Sequence, residues 1–249
     1  MKAMILAAGM GTRLRPLTDD RPKALVEVSG RTLLEITLQR LRSFGVNEVI
    51  VNTHHFADQV AAFLRTHNNF GMRVEISREE NLLDTGGGLK KAAPFFVDGA
   101  NPDEPFLVHN VDVLSTVDLG HMVQFHSESA ALATLAIQDR HTSRYLLFDS
   151  RGLLCGRRAG VDGQPEWARP SHDAQARAFC GIHVLSPRIF PLMQEKGAFS
   201  IIDVYLRLAA LGERIVSYSA DGTYWRDLGR PESITQAAHD ITSGLYPGT

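Results

Sequence analysis

The sequence predicts an α/β protein with a mostly parallel, Rossmann-like central sheet and helices on both faces. Three observations lead there. Short apolar runs alternate with amphipathic stretches through the first half of the chain, the amphipathic stretches carry helix start and stop residues, and the first apolar run opens directly into a glycine-rich loop. Such β-α-β-α order suits parallel strands joined by helical crossovers.

Taken in order, residues 2–8 (KAMILAA), 47–52 (NEVIVN) and 105–109 (PFLVH) read as buried strands, each short, apolar and bounded by turn residues. Between them, Leu34, Leu38 and Leu41 share one face of a helix, with Thr32 and Glu35 spaced as a capping box and Gly45 placed to end it. Phe56, Val60, Phe63 and Leu64 repeat the helical spacing. Beyond about residue 130 the pattern changes to short strands at 131–138, 145–148, 153–156 and 179–185, interrupted by a polar segment at 160–173. These suggest antiparallel strands or a lid beside the main sheet. Two further helices are expected, at 201–211 between Ser200 and Gly212, and at 231–242. With no linker, internal repeat or low-complexity segment, residues 1–249 read as a single domain.

Composition narrows the function. Twenty-six basic and 28 acidic residues give a net charge of −2, with no long basic run interleaved with aromatics, so nucleic acid is not an expected partner. Cys155 and Cys180 make neither a disulfide framework nor a C-x-x-C site, which points to a reducing, cytoplasmic setting. No signal-peptide pattern and no membrane-length apolar stretch is present, so a soluble monomer or small homo-oligomer is expected, with no membrane partner.

The loop after the first strand carries the chemistry. In an open parallel sheet, ligands sit beyond the carboxyl ends of the strands. There Gly9 and Gly11 let a ligand approach the main chain, Thr12 adds a hydroxyl, and Arg13 and Arg15 add charge, a combination suited to a nucleoside triphosphate. A tight turn whose glycines serve geometry alone is the competing account. The loop lacks the third glycine of G-x-G-x-x-G, and no G-K-[ST] follows a strand, so neither a dinucleotide fingerprint nor a Walker loop fits. Asp112 follows the apolar run FLVHN and Asp227 lies in YWRDLG; two carboxylates suit Mg²⁺, which takes one or two of them plus substrate phosphates, although an aspartate after a strand is more often a turn or cap residue. His54 and His55 are adjacent on a strand and lack zinc-ligand spacing, whereas His54 and Asn52 end a strand where a pocket is expected.

The stretch LAAGMGTRLRPLTDDRPKAL, residues 6–25, resembles the signature of the sugar-1-phosphate nucleotidylyltransferases, L-A-A-G-x-G-T-R-L-x-P-L-T followed by P-K. The resemblance continues to about residue 115, thins between about 140 and 200, and returns at Trp225 to Gly229. It implies a glycosyltransferase-A-like nucleotidyltransferase fold with an added sugar-binding subregion, residues 1–130 mainly binding nucleotide and 131–249 mainly sugar phosphate. It places Leu6, Ala7, Ala8, Gly9, Gly11, Thr12 and Arg13 on the nucleotide, where the strand-end position of Asn52 also fits, and puts Thr85, Gly86 and Gly87 of LLDTGGGLKKA at the base. Arg13 and Lys23 become the catalytic cations, Lys23 reaching the sugar phosphate as well as the α-phosphate, and Asp112 and Asp227 the metal ligands. Asn110, Gly181 and Asp203 are the implied sugar-phosphate contacts, although Asp203 also suits helix capping with Ser200.

Two departures stand out. The chain reads His109-Asn110-Val111-Asp112 where the family commonly has Gly-Asp, and CGRRAGVDGQPEW where many members carry Glu-Lys-Pro. Its length and the DTGGG turn resemble compact members that transfer uridylyl or guanylyl groups. The implied reaction is in-line attack of a sugar 1-phosphate on the α-phosphorus of a nucleoside triphosphate, releasing pyrophosphate, with no enzyme nucleophile and no general base. The alternatives are nucleotidyl transfer to a non-sugar phosphate such as phosphocholine and a non-catalytic nucleotide-binding module. A nicotinamide oxidoreductase is disfavoured by the missing third glycine and by Asn52, which stands where an acidic residue would end the second strand.

Overall fold

A computed structural model of the protein describes residues 1–98 and 104–247. In chain order the regular elements are β1 (Lys2–Leu6), β2 (Glu27–Val28), β3 (Arg31–Thr32), α1 (Leu33–Ser43), β4 (Glu48–Thr53), α2 (Ala57–Thr66) and β5 (Arg73–Arg78). Next come α3 (Asp84–Lys91), α4 (Ala93–Val97), β6 (Phe106–Asn110), β7 (Val113–Ser115), α5 (Leu119–Glu128), β8 (Ala133–Gln138), β9 (Arg144–Phe148) and β10 (Leu154–Ala159). The chain closes with β11 (Pro165–Trp167), β12 (Gln175–Leu185), α6 (Ile201–Ala210), β13 (Ile215–Ser219), β14 (Trp225–Asp227) and α7 (Pro231–Thr242). Among the described residues no helix is long and apolar enough to cross a membrane.

The chain packs as two compact units. The first comprises Met1–Asp84, Val108–Val117 and Thr223–Thr249; the second comprises Thr85–Leu107 and Asp118–Gly222. Packing thus divides the chain at several points, whereas the sequence suggested one functional subdivision near residue 130.

In the first unit the strand order is β6-β1-β4-β5. β1 and β4 run parallel, from Lys2 beside Glu48 to Leu6 beside Asn52, and β4 and β5 run parallel to the pair Thr53 and Arg78. The carboxyl ends Leu6, Thr53 and Arg78 therefore lie along one edge of this sheet, where an α/β protein places its ligands. Ala3, Met4, Ile5, Val49 and Val51 are buried in it.

The α1 helix follows its sequence signals closely. Thr32 Oγ1 accepts the Glu35 N–H at 3.1 Å. The reciprocal half of the capping box is absent, because the Glu35 carboxylate accepts instead from Arg31 and Gln39, each at 3.2 Å. At the far end the N–H groups of Gly45 and Val46 donate to the carbonyls of Arg42 and Leu41, which satisfies the terminal acceptors. Leu33, Leu34, Leu38 and Leu41 are fully buried, each contributing about 1.5–3 kcal/mol to holding the helix in place.

The second unit has the strand order β11-β10-β9-β12-β8-β13, antiparallel except for the parallel pair β8 and β13. The strands expected beyond residue 130 are therefore antiparallel ones, and the polar segment 160–173 contains the short strand β11. Phe96, Phe106 and Phe190 stack in its core, with ring centroids 3.9 Å apart for the first two and 5.5 Å for the last two. α6 opens on Ser200, whose hydroxyl accepts the Ile202 N–H at 3.2 Å.

Strands β2, β3, β5, β7, β11, β13 and β14 have no counterpart among the runs expected from the sequence. β5 lies at the edge of its sheet and exposes alternate polar residues, so its composition is not that of a buried strand. β7 and β14 have three residues each and exist as strands because they pair with one another across a long stretch of sequence.

Candidate active site

β1 delivers the glycine-rich loop to the sheet edge, and its root is tied within the protein. The Leu6 carbonyl accepts the Val111 N–H at 3.1 Å, and the Ala7 N–H donates to Asn52 Oδ1 at 2.7 Å. Ala7 and Ala8 are buried, whereas Gly9, Met10, Thr12 and Arg13 are exposed. Leu14, fully buried, anchors the turn Thr12–Leu14 that carries Arg13.

The two loop glycines have different reasons to be glycine. Gly11 has φ 65°, and a Cβ there would lie 2.9 Å from Thr18 Cγ2 and 3.2 Å from Lys23 Cβ. Its carbonyl accepts the Thr18 hydroxyl at 2.9 Å, so the fold itself requires this residue. Gly9 is outside the left-handed region and a Cβ on it would meet nothing within 4 Å. Among the described residues, nothing beyond its chain neighbours occupies the space beside it.

Lys23 follows Pro22, whose extended backbone (φ −71°, ψ 152°) turns the chain into the segment Lys23–Leu25. The lysine stem passes beside Gly11, and the ammonium donates to Asp112 Oδ2. Both side chains are largely shielded, at 15% and 9% exposure, so each carboxylate or ammonium depends on the other for charge balance.

Asp112 sits between β6 and β7, and its main-chain carbonyl accepts the Leu228 N–H at 2.8 Å. In the β7–β14 ladder Asp227 lies opposite Val113, so the chain segments bearing the two carboxylates run side by side. Asp227 Oδ1 accepts the Gly229 N–H at 3.0 Å. A Cβ on Gly229 would lie 2.8 Å from that same oxygen and 2.8 Å from Arg13 Nη2, so the Arg13 guanidinium and the Asp227 carboxylate converge on a bare backbone.

β14 is held from behind by α7. Asp240 Oδ2 accepts from the Tyr224 hydroxyl at 2.7 Å and from Arg226 Nε at 2.8 Å. These contacts, the tyrosine hydroxyl first among them, hold the Asp240 carboxyl below its ordinary pKa. Sequence reasoning did not single out this trio, because its members gain meaning when helix and strand are in contact.

His109, which replaces part of the common family pattern, is fully buried. Its Nδ1–H donates to the Asn110 carbonyl at 2.8 Å, and Nε2 has no hydrogen-bond partner among the described residues. Burial first, and the Arg40 charge second, lower its pKa to about 4. At neutral pH it is therefore uncharged.

The remaining expected site residues separate into two groups. Asn52 is in the first unit, 3% exposed, with both ends of its amide engaged: the oxygen takes Ala7 and the nitrogen donates to Glu79 Oε1 at 2.8 Å. Asn110, half-buried, ends β6. Thr85, Gly86, Gly87, Gly181 and Asp203 belong to the second unit. The glycine-rich turn expected before a helix is instead within α3, where Gly86 and Gly87 are buried and both donate to the Phe199 carbonyl, at 2.9 and 3.3 Å. A Cβ on Gly86 would lie 2.5 Å from two Phe199 ring carbons, so tight internal packing accounts for that glycine. Thr85 Oγ1 accepts the Ile201 N–H at 3.0 Å. Gly181 is buried with φ 72° at a register shift of β12, and the Asp203 carboxylate accepts from Arg157 Nη1 at 2.5 Å.

The donor set suits a hard divalent cation. Asp112 is a nearly buried carboxylate that already holds a positive group, and Asp227 adds a second oxygen donor from the adjacent strand. No cluster of three His, Cys, Asp or Glu occurs among the described residues. Two carboxylates with open positions left for phosphate oxygens are the usual Mg²⁺ arrangement.

Comparison with known proteins adds to this geometry. The sequence profile described as "Nucleotidyl transferase" matches residues 2–244. The chain is 34% identical over 240 residues to N-acetylmuramate alpha-1-phosphate uridylyltransferase of Caulobacter vibrioides, with 93% of each chain covered. It is 37% identical to UTP--glucose-1-phosphate uridylyltransferase of Synechocystis sp., covering 98% of this chain and 64% of that one, so it spans about two thirds of that relative. Among solved structures, a putative glucose-1-phosphate thymidylyltransferase from Bacillus anthracis superposes with a TM-score of 0.79 at 18% identity, covering 100% of this chain and 98% of that one. At that identity the likeness shows the shared fold.

Proposed function

Because the chain belongs to the nucleotidyl transferase family, we propose that it transfers a uridylyl group from UTP to a sugar 1-phosphate, releasing pyrophosphate. The observation that carries this reading is the assembly of Lys23, Asp112 and Asp227 from three distant segments beside an exposed glycine-rich loop. Uridine is favoured because the two relatives above 30% identity named above are both uridylyltransferases.

The chemistry follows from charge and position. A non-bridging oxygen of the sugar phosphate attacks the α-phosphorus of UTP, the bond from that phosphorus to the bridging oxygen breaks, and pyrophosphate departs with the electron pair. The attacking phosphate is already ionised, so no residue needs to remove a proton. Main-chain N–H groups of the loop beyond Ala7, together with Arg13, cradle the triphosphate, and the open flank of Gly9 admits it to the main chain. Lys23 exchanges its carboxylate partner for phosphate oxygens and draws the two reacting phosphates together. Asp112 and Asp227 would hold a Mg²⁺ ion, which when bound supplies charge to the phosphates. The resemblance read in the sequence assigns sugar-phosphate contacts to Asn110, Gly181 and Asp203 and base contacts to Thr85, Gly86 and Gly87.

The test is pyrophosphate release from UTP with a panel of sugar 1-phosphates that includes N-acetylmuramate 1-phosphate and glucose 1-phosphate, run beside the other nucleoside triphosphates. Release with UTP and at least one sugar phosphate is expected. Release with no pair rejects the reading, and release with another triphosphate in preference to UTP rejects the choice of base.

A further inference from the structure

Glu79, one residue beyond β5, is 4% exposed, and its carboxylate is bonded at both oxygens. Oε1 accepts from Asn52 Nδ2 at 2.8 Å and Oε2 accepts the Leu83 N–H at 2.9 Å. Asn52 Oδ1 in turn accepts the Ala7 N–H at 2.7 Å. The result is one continuous chain of hydrogen bonds: Ala7 N–H to Asn52, Asn52 to Glu79, and Leu83 N–H to Glu79. It begins at the root of the phosphate loop and ends just before Asp84, where the glycine-rich segment starts. The main chain of Glu79 is fixed as well, its N–H donating to the Thr53 carbonyl at 2.7 Å and its carbonyl accepting from His54 Nδ1 at 2.8 Å.

We propose that Asn52 and Glu79 form a positioning brace for the nucleotide: they hold the phosphate loop and the Leu83 segment in one frame, and touch no substrate themselves. The inference rests on the reading of the loop as the triphosphate site. It gives Asn52 a task other than direct nucleotide contact. It also accounts for a buried carboxylate that the transfer reaction does not use, since the two ends of the brace are both main-chain donors. A side-chain pair between two donors must offer an acceptor to each end and a single donor in the middle. Asn with Glu does this. Asn with Gln leaves a donor facing a donor, Asp with Glu sets two carboxylates against each other, and Asp with Gln restores every bond with the direction of the central one reversed.

That polarity rule supplies the experiment. UTP affinity is measured by calorimetry, and KM and kcat by pyrophosphate release, for the wild type, Asn52→Asp, Glu79→Gln and the double variant Asn52→Asp/Glu79→Gln, with circular dichroism to report folding. Each single variant should raise the UTP dissociation constant and KM about tenfold or more, as expected for one unsatisfied buried polar group, while the sugar-phosphate KM moves little. The double variant should return to within about threefold of the wild type. Unchanged UTP affinity in the single variants overturns the brace, as does a double variant that is folded and as weak as either single one. An equal rise in both substrate KM values also overturns it, because general loosening would then explain the loss. Should the single variants fail to fold, the double variant decides: wild-type UTP affinity supports the brace, and failure to fold refutes the polarity rule. Absence of UTP binding to the wild type itself rejects the nucleotide reading and the brace with it.

Discussion

Replacing Gly9 by alanine separates the needs of the fold from the needs of a ligand. Gly9 does not adopt the left-handed conformation, and an added methyl group would meet no atom within 4 Å. The fold should therefore accept Gly9→Ala. The reduced freedom of the unfolded chain should stabilise it by about 0.4–1 kcal/mol, or about 1–4 °C in Tm for a chain of this size. Bound triphosphate changes the balance, because the same methyl group would stand where the phosphates approach the main chain. A tenfold loss of UTP affinity corresponds to about 1.4 kcal/mol, and a loss of at least that size is expected. Gly11→Ala provides the contrast. With φ 65° and a would-be contact of 2.9 Å to Thr18, it should lose about 1–3 kcal/mol of stability before any ligand is added. Thermal unfolding without ligand and titration calorimetry with UTP measure the two effects separately. A folded Gly9→Ala protein with undiminished UTP affinity would refute the placement of the phosphates. A marked fall in its Tm would show that the space beside Gly9 is needed by the protein itself.

Asp112→Asn and Asp227→Asn should each lower kcat/KM by about 10²-fold or more with the fold retained, and the double variant should lose little beyond either one, since ligands of one cation act as a unit; losses that multiply would mean that the carboxylates do not share a cation. Gly86→Ala should lose about 1–3 kcal/mol of stability, against the gain of up to about 1 kcal/mol that alanine brings to an unconstrained helix, because its methyl group would collide with the Phe199 ring; a urea midpoint at or above that of the wild type would remove Phe199 as the reason for the glycine. Stability should fall as pH drops from about 6.5 towards 4. Burial first holds His109 and His126 at a pKa of about 4, with Arg40 and Arg188 adding to it respectively, so the unfolded chain takes up protons that the folded one refuses. By pH 5 each histidine should have removed about 2 kcal/mol, and His126→Gln should flatten the dependence in urea denaturation followed across pH; an unaltered slope would locate the acid sensitivity elsewhere.

Local signals in the sequence sufficed for the elements that depend on near neighbours. The seven strand runs, the Thr32 cap, the Gly45 stop and the bounds of α7 all follow from residues a few positions apart, where turn geometry and side-chain period act directly. The glycine-rich loop was legible for the same reason, and its long signature identified the family before any contact was known. Tertiary structure decided which groups meet. Lys23 and Asp112 form an ion pair, Asp227 is brought beside Asp112 by two strands too short to be read alone, and Asn52 and Glu79 are joined into a buried brace. It also split the two candidate roles of glycine, assigning Gly11 and Gly86 to internal packing and leaving Gly9 with no neighbour within 4 Å of an added Cβ among the described residues. The physical reason is common to all of these. A hydrogen bond, an ion pair or a steric contact depends on distance in space, and between residues far apart in sequence that distance exists once the intervening chain has folded.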